Sequence, residues 1–209
     1  MRFATAVRRL TAIAQDCGRV ASFLSGDGDE DGDGALLAVY AYGPVVDQPG
    51  ADVEVVHLAL VLDLPAEELP WGVEPPECTA LAALLRLDKA PVRWRWRPGQ
   101  WPVWNHAIRR PMPIWTREGV QSAALDALSG GRAEPFRLPD PAESERVAQA
   151  ELELAASLAH LRAVRERYWE DHEWRRAHRG GGRYPEEHLW QAVDGYLDMV
   201  DSVRDLSSP

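Results

Sequence analysis

Residues 36–43 read LLAVYAYG and residues 55–63 read VVHLALVLD, and these two apolar runs decide how the chain folds. Turn formers bound both of them: Gly34 precedes the first, and Gly43, Pro44, Pro49 and Gly50 separate the pair. Short apolar runs punctuated in this way form strands rather than helices. The first strand is predicted over 35–42. The second, predicted over 53–64, is hydrophobic at positions of both parities, which favours a central place in a sheet rather than an edge. Between Val55 and Leu62 its one polar residue is His57.

Outward from this pair, apolar residues at Phe3, Val7, Leu10, Ile13, Ala14 and Val20 recur with helical spacing, which predicts an amphipathic helix over 3–24. The acidic, glycine-rich run 26–34 is predicted as a loop. A helical turn is predicted at Pro65–Glu68 and a helix over 77–87. The strict alternation VRWRWR at 92–97 reads as a strand with one wet or charged face, and Ile114-Trp115 as a further short strand. Thr116 is placed as the N-cap of a helix over 118–128 that Gly130-Gly131 stops.

The last third changes character. Asp140-Pro141-Ala142-Glu143 reads as a helix start with Asp140 as N-cap, Pro141 at the first position and Glu143 at the third, and Val147, Ala150, Leu154, Leu158, Leu161, Val164 and Tyr168 continue with three-four spacing. A helix is predicted from there to about His178, closed by Gly180–Gly182, with a second helix from Pro185. The expected fold class is therefore α/β (α+β): a small mixed sheet with flanking helices over 1–138, then an antiparallel helical hairpin over 139–209.

At 209 residues and 45% hydrophobic, the chain is long and apolar enough to bury a core, and its net charge of −10 argues against general affinity for polynucleotides or anionic membrane. The charge is unevenly spread. Thirteen acids and no Lys or Arg lie between Val20 and Leu85, whereas Arg86–Arg117 holds seven Arg and one Lys against a single acid, Asp88. The basic segment is expected to pair with the acidic one. Two cysteines, Cys17 and Cys78, make no disulfide framework or zinc cluster. Arg8-Arg9 resembles the start of an export signal, but Gln15, Asp16 and Arg19 break the apolar region such a signal needs, and no run approaches the length of a membrane span. A cytoplasmic protein is expected.

The order strand, Gly turn, apolar strand resembles the opening of nucleotidyltransferase-like domains over roughly Leu36–Arg97. Tyr42-Gly43-Pro44 stands where that superfamily carries a Gly-Ser turn, and VVHLALVLD stands where a D-x-D pair leads the next strand. The resemblance implies a sheet of nucleotidyltransferase-like type. In active members those carboxylates hold magnesium against a triphosphate, because phosphoryl transfer depends on charge neutralisation and in-line positioning. Here Val55 and His57 occupy the acid positions, Pro44 offers neither hydroxyl nor N–H, and Arg and Trp fill the strand that would bring the third acid. The implied protein has no cofactor and acts as a non-catalytic binding or regulatory member that recognises a nucleotide or a protein partner. The alternative frame, with Asp52, Glu54 and Asp63 as magnesium ligands, describes a divergent active enzyme. Trp104-Asn105-His106 and the proline-rich turn after it also resemble an uncharacterised bacterial family with no known activity.

Five of the nine tryptophans, Trp94, Trp96, Trp101, Trp104 and Trp115, fall within one short stretch, with Arg93, Arg95 and Arg97 interleaved. Cations beside aromatic rings suit a nucleobase or a single strand, whereas the plainer reading buries the Trp face as core. The loop Trp101, Pro102, Trp104, Asn105, His106 meets no helix or strand pattern and is a candidate partner surface. Gly43, His57, Arg93, Arg95, Trp101, Trp104, Asn105 and His106 are thus the candidate binding residues. Two further patterns carry less. Asp29, Asp31 and Asp33 copy half of a calcium loop, but Tyr40 stands at the twelfth position where a Glu is required. Arg167/His172 and Arg183/His188 share an R-x4-H spacing that resembles RNA-cleaving helical modules of toxin–antitoxin type, and the plain reading is the polar face of a hairpin.

Overall fold

The computed structural model describes residues 1–24, 36–89, 91–179 and 184–207. The predicted acidic loop and the Gly180–Gly182 helix stop lie outside the described residues. The chain divides into two compact units: one holds residues 1–64 and 76–140, the other 65–75 and 141–209.

The first unit is built on a five-stranded mixed sheet in the order β3-β2-β1-β4-β5. Strand β1 (Leu36–Tyr42) pairs antiparallel with β2 (Val56–Leu62), with Tyr42 opposite His57 and Leu36 opposite Leu62. On the other side of β2 lies β3 (Val92–Pro98), parallel to it and in register from Val56/Val92 to Leu62/Pro98. Strand β4 (Met112–Thr116) pairs antiparallel with β1, and the two-residue β5 (Gly119–Val120) closes the far edge. The central position expected for the second strand is what the structure shows: every residue of β2 is buried except His57, which is half-buried.

Period-two alternation sorts the sheet's side chains into two sets. Tyr40, Tyr42, His57, Ala59, Arg93, Arg95 and Arg97 share one face; Val39, Leu58, Leu60, Trp94, Trp96 and Trp115 share the other. Helix α1 (Phe3–Leu24), as predicted, buries Ala6, Leu10, Ile13, Ala14 and Cys17, and a Cβ added at its Gly18 would lie 3.7 Å from the Trp115 indole nitrogen. Burial pushes the Cys17 thiol up to about 12, so it stays protonated and inert, and neither cysteine is in a disulfide. Between β1 and β2 stands a single helical turn, α2 (Pro44–Asp47), which the turn-rich sequence conceals. Helix α3 (Pro76–Leu84) and a 3-10 turn at Leu87–Lys89 lie on the crossover to β3.

Helix α4 (Ser122–Ser129) starts later than predicted because Gly119 and Val120 are drawn into β5. Thr116 is not its cap; the Thr116 hydroxyl instead accepts hydrogen bonds from the Glu118 N–H (3.3 Å) and the Gln121 side chain (3.1 Å). The predicted glycine stop holds, with Gly131 in the left-handed region at φ 71°.

The second unit is an antiparallel pair, α5 (Glu143–Glu170) and α7 (Pro185–Ser207), with a short α6 (His172–Ala177) between them. The end of α5 meets the start of α7 through the Tyr168 hydroxyl, which donates to Glu186 (3.3 Å). The predicted helix through His178 is broken at Asp171. That residue leaves helical geometry (φ −102°, ψ 100°), and its carboxylate accepts from the Trp174 N–H (2.8 Å) to cap α6. At the other end the N-cap is Ala142, whose N–H is taken by the Glu145 carboxylate (2.8 Å), while Asp140 grips Arg109 through both oxygens (3.1 and 2.9 Å).

Residues 65–75, expected beside the sheet, group with these helices. Trp71 is 3% exposed and its indole N–H donates to Asp198. Gly72, at φ 81°, lies against Gly195 of α7, and a Cβ added at Gly195 would fall 2.0 Å from the Trp71 carbonyl oxygen. Glycine inside a helix usually weakens it by about 1 kcal/mol relative to alanine. Here that sign reverses: Gly195→Ala is expected to destabilise by roughly 1–3 kcal/mol through overpacking against backbone. Urea unfolding of the variant checks this, and an unchanged or raised midpoint would disprove the contact.

Candidate functional site on the sheet

Gly43 ends β1 and caps α2 with φ 70° and ψ −152°, a conformation that side-chain-bearing residues rarely adopt. A Cβ built on it would lie 3.8 Å from the His57 ring, so the turn and the imidazole face each other directly. Strand pairing sets Tyr42 opposite His57, with ring centroids 5.4 Å apart and planes inclined at 62° in an edge-on arrangement. Parallel pairing with β3 then sets Arg93 beside His57 and Arg95 beside Ala59. Tyr42 is buried, His57 half-buried, and Arg93 and Arg95 are exposed.

These groups feel one another's charge. The His57 imidazole titrates below its ordinary range, first because burial disfavours its charged form and then because Arg93 and Arg95 repel a second cation. Burial pushes the Tyr42 phenol up, and Arg95 and Arg97 partly oppose that. Arg93 makes no ion pair among the described residues. The cluster therefore offers the exposed Arg93 guanidinium with Arg95 beside it, a neutral imidazole and an aromatic edge around a glycine turn. Such a set attracts anions and repels metal cations.

Of the predicted site residues, Gly43, His57, Arg93 and Arg95 come together, and Tyr42 joins them without having been foreseen. The only signal for Tyr42 was its place next to the glycine at the end of a strand. The Trp101–His106 loop follows the opposite end of β3, where the Gly99 N–H donates to the Leu62 carbonyl (2.7 Å). Arg97, 1% exposed, donates to the Pro102 carbonyl (2.9 Å) and lies 5.9 Å from the Trp101 ring centroid. The Asn105 side-chain oxygen accepts from the N–H groups of Ala107 and Ile108, both at 3.0 Å, which closes the loop on itself. Trp104 and His106 are half-buried. These contacts give Arg97 and Asn105 structural work, apart from the glycine turn.

The magnesium frame does not assemble. Asp52 and Glu54 precede β2 and Asp63 follows it, so about 20 Å of extended strand separates the first two from the third. Asp52 accepts from the Phe3 N–H (3.2 Å) at the start of α1, Glu54 is exposed, and Asp63 faces Arg117 at 3.6 Å. Magnesium ligands must lie near 2.1 Å from the ion, and no metal-holding group of three His, Cys, Asp or Glu side chains exists among the described residues. Of the expected pairing between basic and acidic segments, the described residues show Arg117 facing Asp63, whereas Arg109 and Arg110 turn to Asp140 and Glu134.

In the helical unit, Arg167 and His172 line one open pocket of about 580 Å³ together with Glu166, Glu170, Asp171 and Glu173. Four carboxylates around that pair oppose a scissile phosphate. Arg183 lies outside the described residues, and His188 packs edge-on against His178 at 4.8 Å. No described helix is long and apolar enough to cross a membrane.

A family model described as Domain of unknown function (DUF7711) matches residues 1–205. The chain belongs to this family. No curated protein and no solved structure matches it.

For this DUF7711 member the charge arrangement at His57 has a measurable sign. Its folded pKa is depressed, so the unfolded chain takes up the proton first as pH falls. The neutral imidazole therefore supports the fold fully above about pH 6.5, and that contribution is lost as pH drops through the lower folded value. Urea unfolding between about pH 8 and about pH 5.5 should show a steeper acid loss for the wild type than for His57→Gln. In Arg93→Ala the His57 titration, read by NMR, should move up toward 6.5. A wild-type His57 pKa at or above 6.5 would contradict the arrangement.

Proposed function

We propose that the protein is a non-catalytic, nucleotidyltransferase-like binding protein that holds the phosphates of a nucleotide on the Tyr42–His57–Arg93 face without a metal ion. The supporting fold-level analogy is the order helix, strand, glycine turn, antiparallel strand, crossover and parallel strand, and analogy of this kind carries fold further than function. The observation that carries the reading is local. Gly43, His57, Arg93 and Arg95 sit together on one face where three adjacent strands meet; the resemblance places a glycine turn at Gly43, a metal-binding acid at His57 and a third acid on the strand of Arg93 and Arg95.

Exchange of acid for base changes the chemistry rather than abolishing the site. Paired carboxylates need a divalent cation before a triphosphate can approach, whereas guanidinium groups take phosphate oxygens directly in charge-assisted, often two-pronged hydrogen bonds. A neutral imidazole adds one N–H donor, and the Gly43 turn leaves room for close approach of a ligand. The same exchange removes the groups that would position metal and activate a nucleophile, so binding is retained and transfer is not.

The test reads the site itself. The His57 imidazole signals in an NMR titration should move with nucleoside triphosphate in the presence of a chelator, with saturable behaviour. Arg93→Ala should weaken that response about 10- to 100-fold, the worth of one charge-assisted hydrogen bond of roughly 1.5–3 kcal/mol. His57 signals that stay still for every nucleotide, or that move only when magnesium is added, would sink the reading.

A further inference from the structure

The break at Asp171 turns α6 so that its cations line a second pocket. This concavity of about 420 Å³ is lined by Tyr168, His172, Arg175, Arg176, Arg179 and Glu186. Three arginines and a histidine thus face a single carboxylate, in a chain whose net charge is −10. Arg175 is held in place by donating to the Tyr168 carbonyl (3.0 Å), and Glu186 is held by the Tyr168 hydroxyl (3.3 Å). Arg176 and Arg179 are exposed and make no ion pair among the described residues.

Cations in the last turn of a helix are favoured by its dipole, which accounts for Arg175 and Arg176 as residue types. It does not account for their meeting His172 and Arg179 around one concave surface. Three guanidinium groups lining one concavity with a single carboxylate give it a positive potential that favours an anion. The neighbouring pocket, which shares His172, carries four carboxylates, so of these two concavities only the arginine-lined one favours an anion.

We infer that this pocket is a phosphate-binding site suited to a chain of linked phosphates, separate from the sheet face and independent of the reading given for it. Three guanidinium groups around one cavity exceed what the oxygens of a single phosphate engage, and a di- or triphosphate, or successive phosphates of a short RNA, fits their number better.

Calorimetric titration with inorganic tripolyphosphate, without divalent cations, tests the site on the full chain. The wild type should bind, and binding should weaken as salt rises. Arg176→Glu/Arg179→Glu should lose at least tenfold in affinity, with its fold verified by circular dichroism. Arg93→Ala/Arg95→Ala, which alters only the sheet face, should bind tripolyphosphate in this pocket as before. Equal affinity in wild type and the α6 variant, loss confined to the sheet variant, or no binding at millimolar tripolyphosphate would each overturn the proposal. A parallel titration of Arg93→Ala/Arg95→Ala, in which the sheet face is disabled, with ATP and an oligoribonucleotide of about eight residues separates the sources. Tighter binding of ATP assigns a free nucleotide, tighter binding of the oligomer assigns RNA phosphates, and both must depend on Arg176 and Arg179 for the site to stand.

Discussion

The structure of the first unit depends on β2 lying between β1 and β3, antiparallel to one and parallel to the other. A parallel pair cannot be closed by a hairpin, so the chain must leave the sheet after Leu62 and return at Val92 by a crossover. Burial of β2 on both faces enforces the arrangement: truncating any one of Leu58, Leu60 or Leu62, each at most 1% exposed, removes about 2–5 kcal/mol. A strand under that constraint tolerates a polar group only where its end meets water. His57 is there, beside the glycine turn, and this is why the candidate site lies at the strand's beginning rather than along it.

The strands and long helices were legible because each carries a single strong period over its full length. Residues 3–24 and 36–42 match their predicted spans to within one residue for that reason. What escaped depends on partners remote in sequence. Helical spacing of apolar residues runs on past Asp171, and only the capping hydrogen bond to Trp174 shows that the helix ends there. Gly119 and Val120 are in a strand because Trp115 and Thr116 offer them a ladder, not because of their own propensity. The placement of 65–75 rests on a glycine–glycine contact with Gly195, across more than a hundred residues, and no local pattern encodes it.

The candidate site was readable in the same uneven way. Alternation in VRWRWR put Arg93 and Arg95 on one face, and the resemblance put Gly43 and His57 opposite, so their convergence follows from register. The Trp101–His106 loop drew attention for its aromatic content, but Arg97 and Asn105 are used there to close the backbone, which composition does not disclose. The arginines of α6 escaped because, on one long straight helix, they would have read as an ordinary solvated face. Their geometry exists only because the helix is cut.

The interleaved connectivity has a consequence for how this chain is made. Residues 65–75 leave the ribosome well before α5 and α7, the helices with which they group. Until those helices are synthesised, Trp71 has neither its hydrogen bond to Asp198 nor its glycine neighbour, and an apolar indole waits in water. A fragment ending near residue 140 would carry that indole without its Asp198 acceptor. The helical unit in turn would lack its inserted strip if expressed alone, so the smallest self-contained piece of this protein is close to the whole chain.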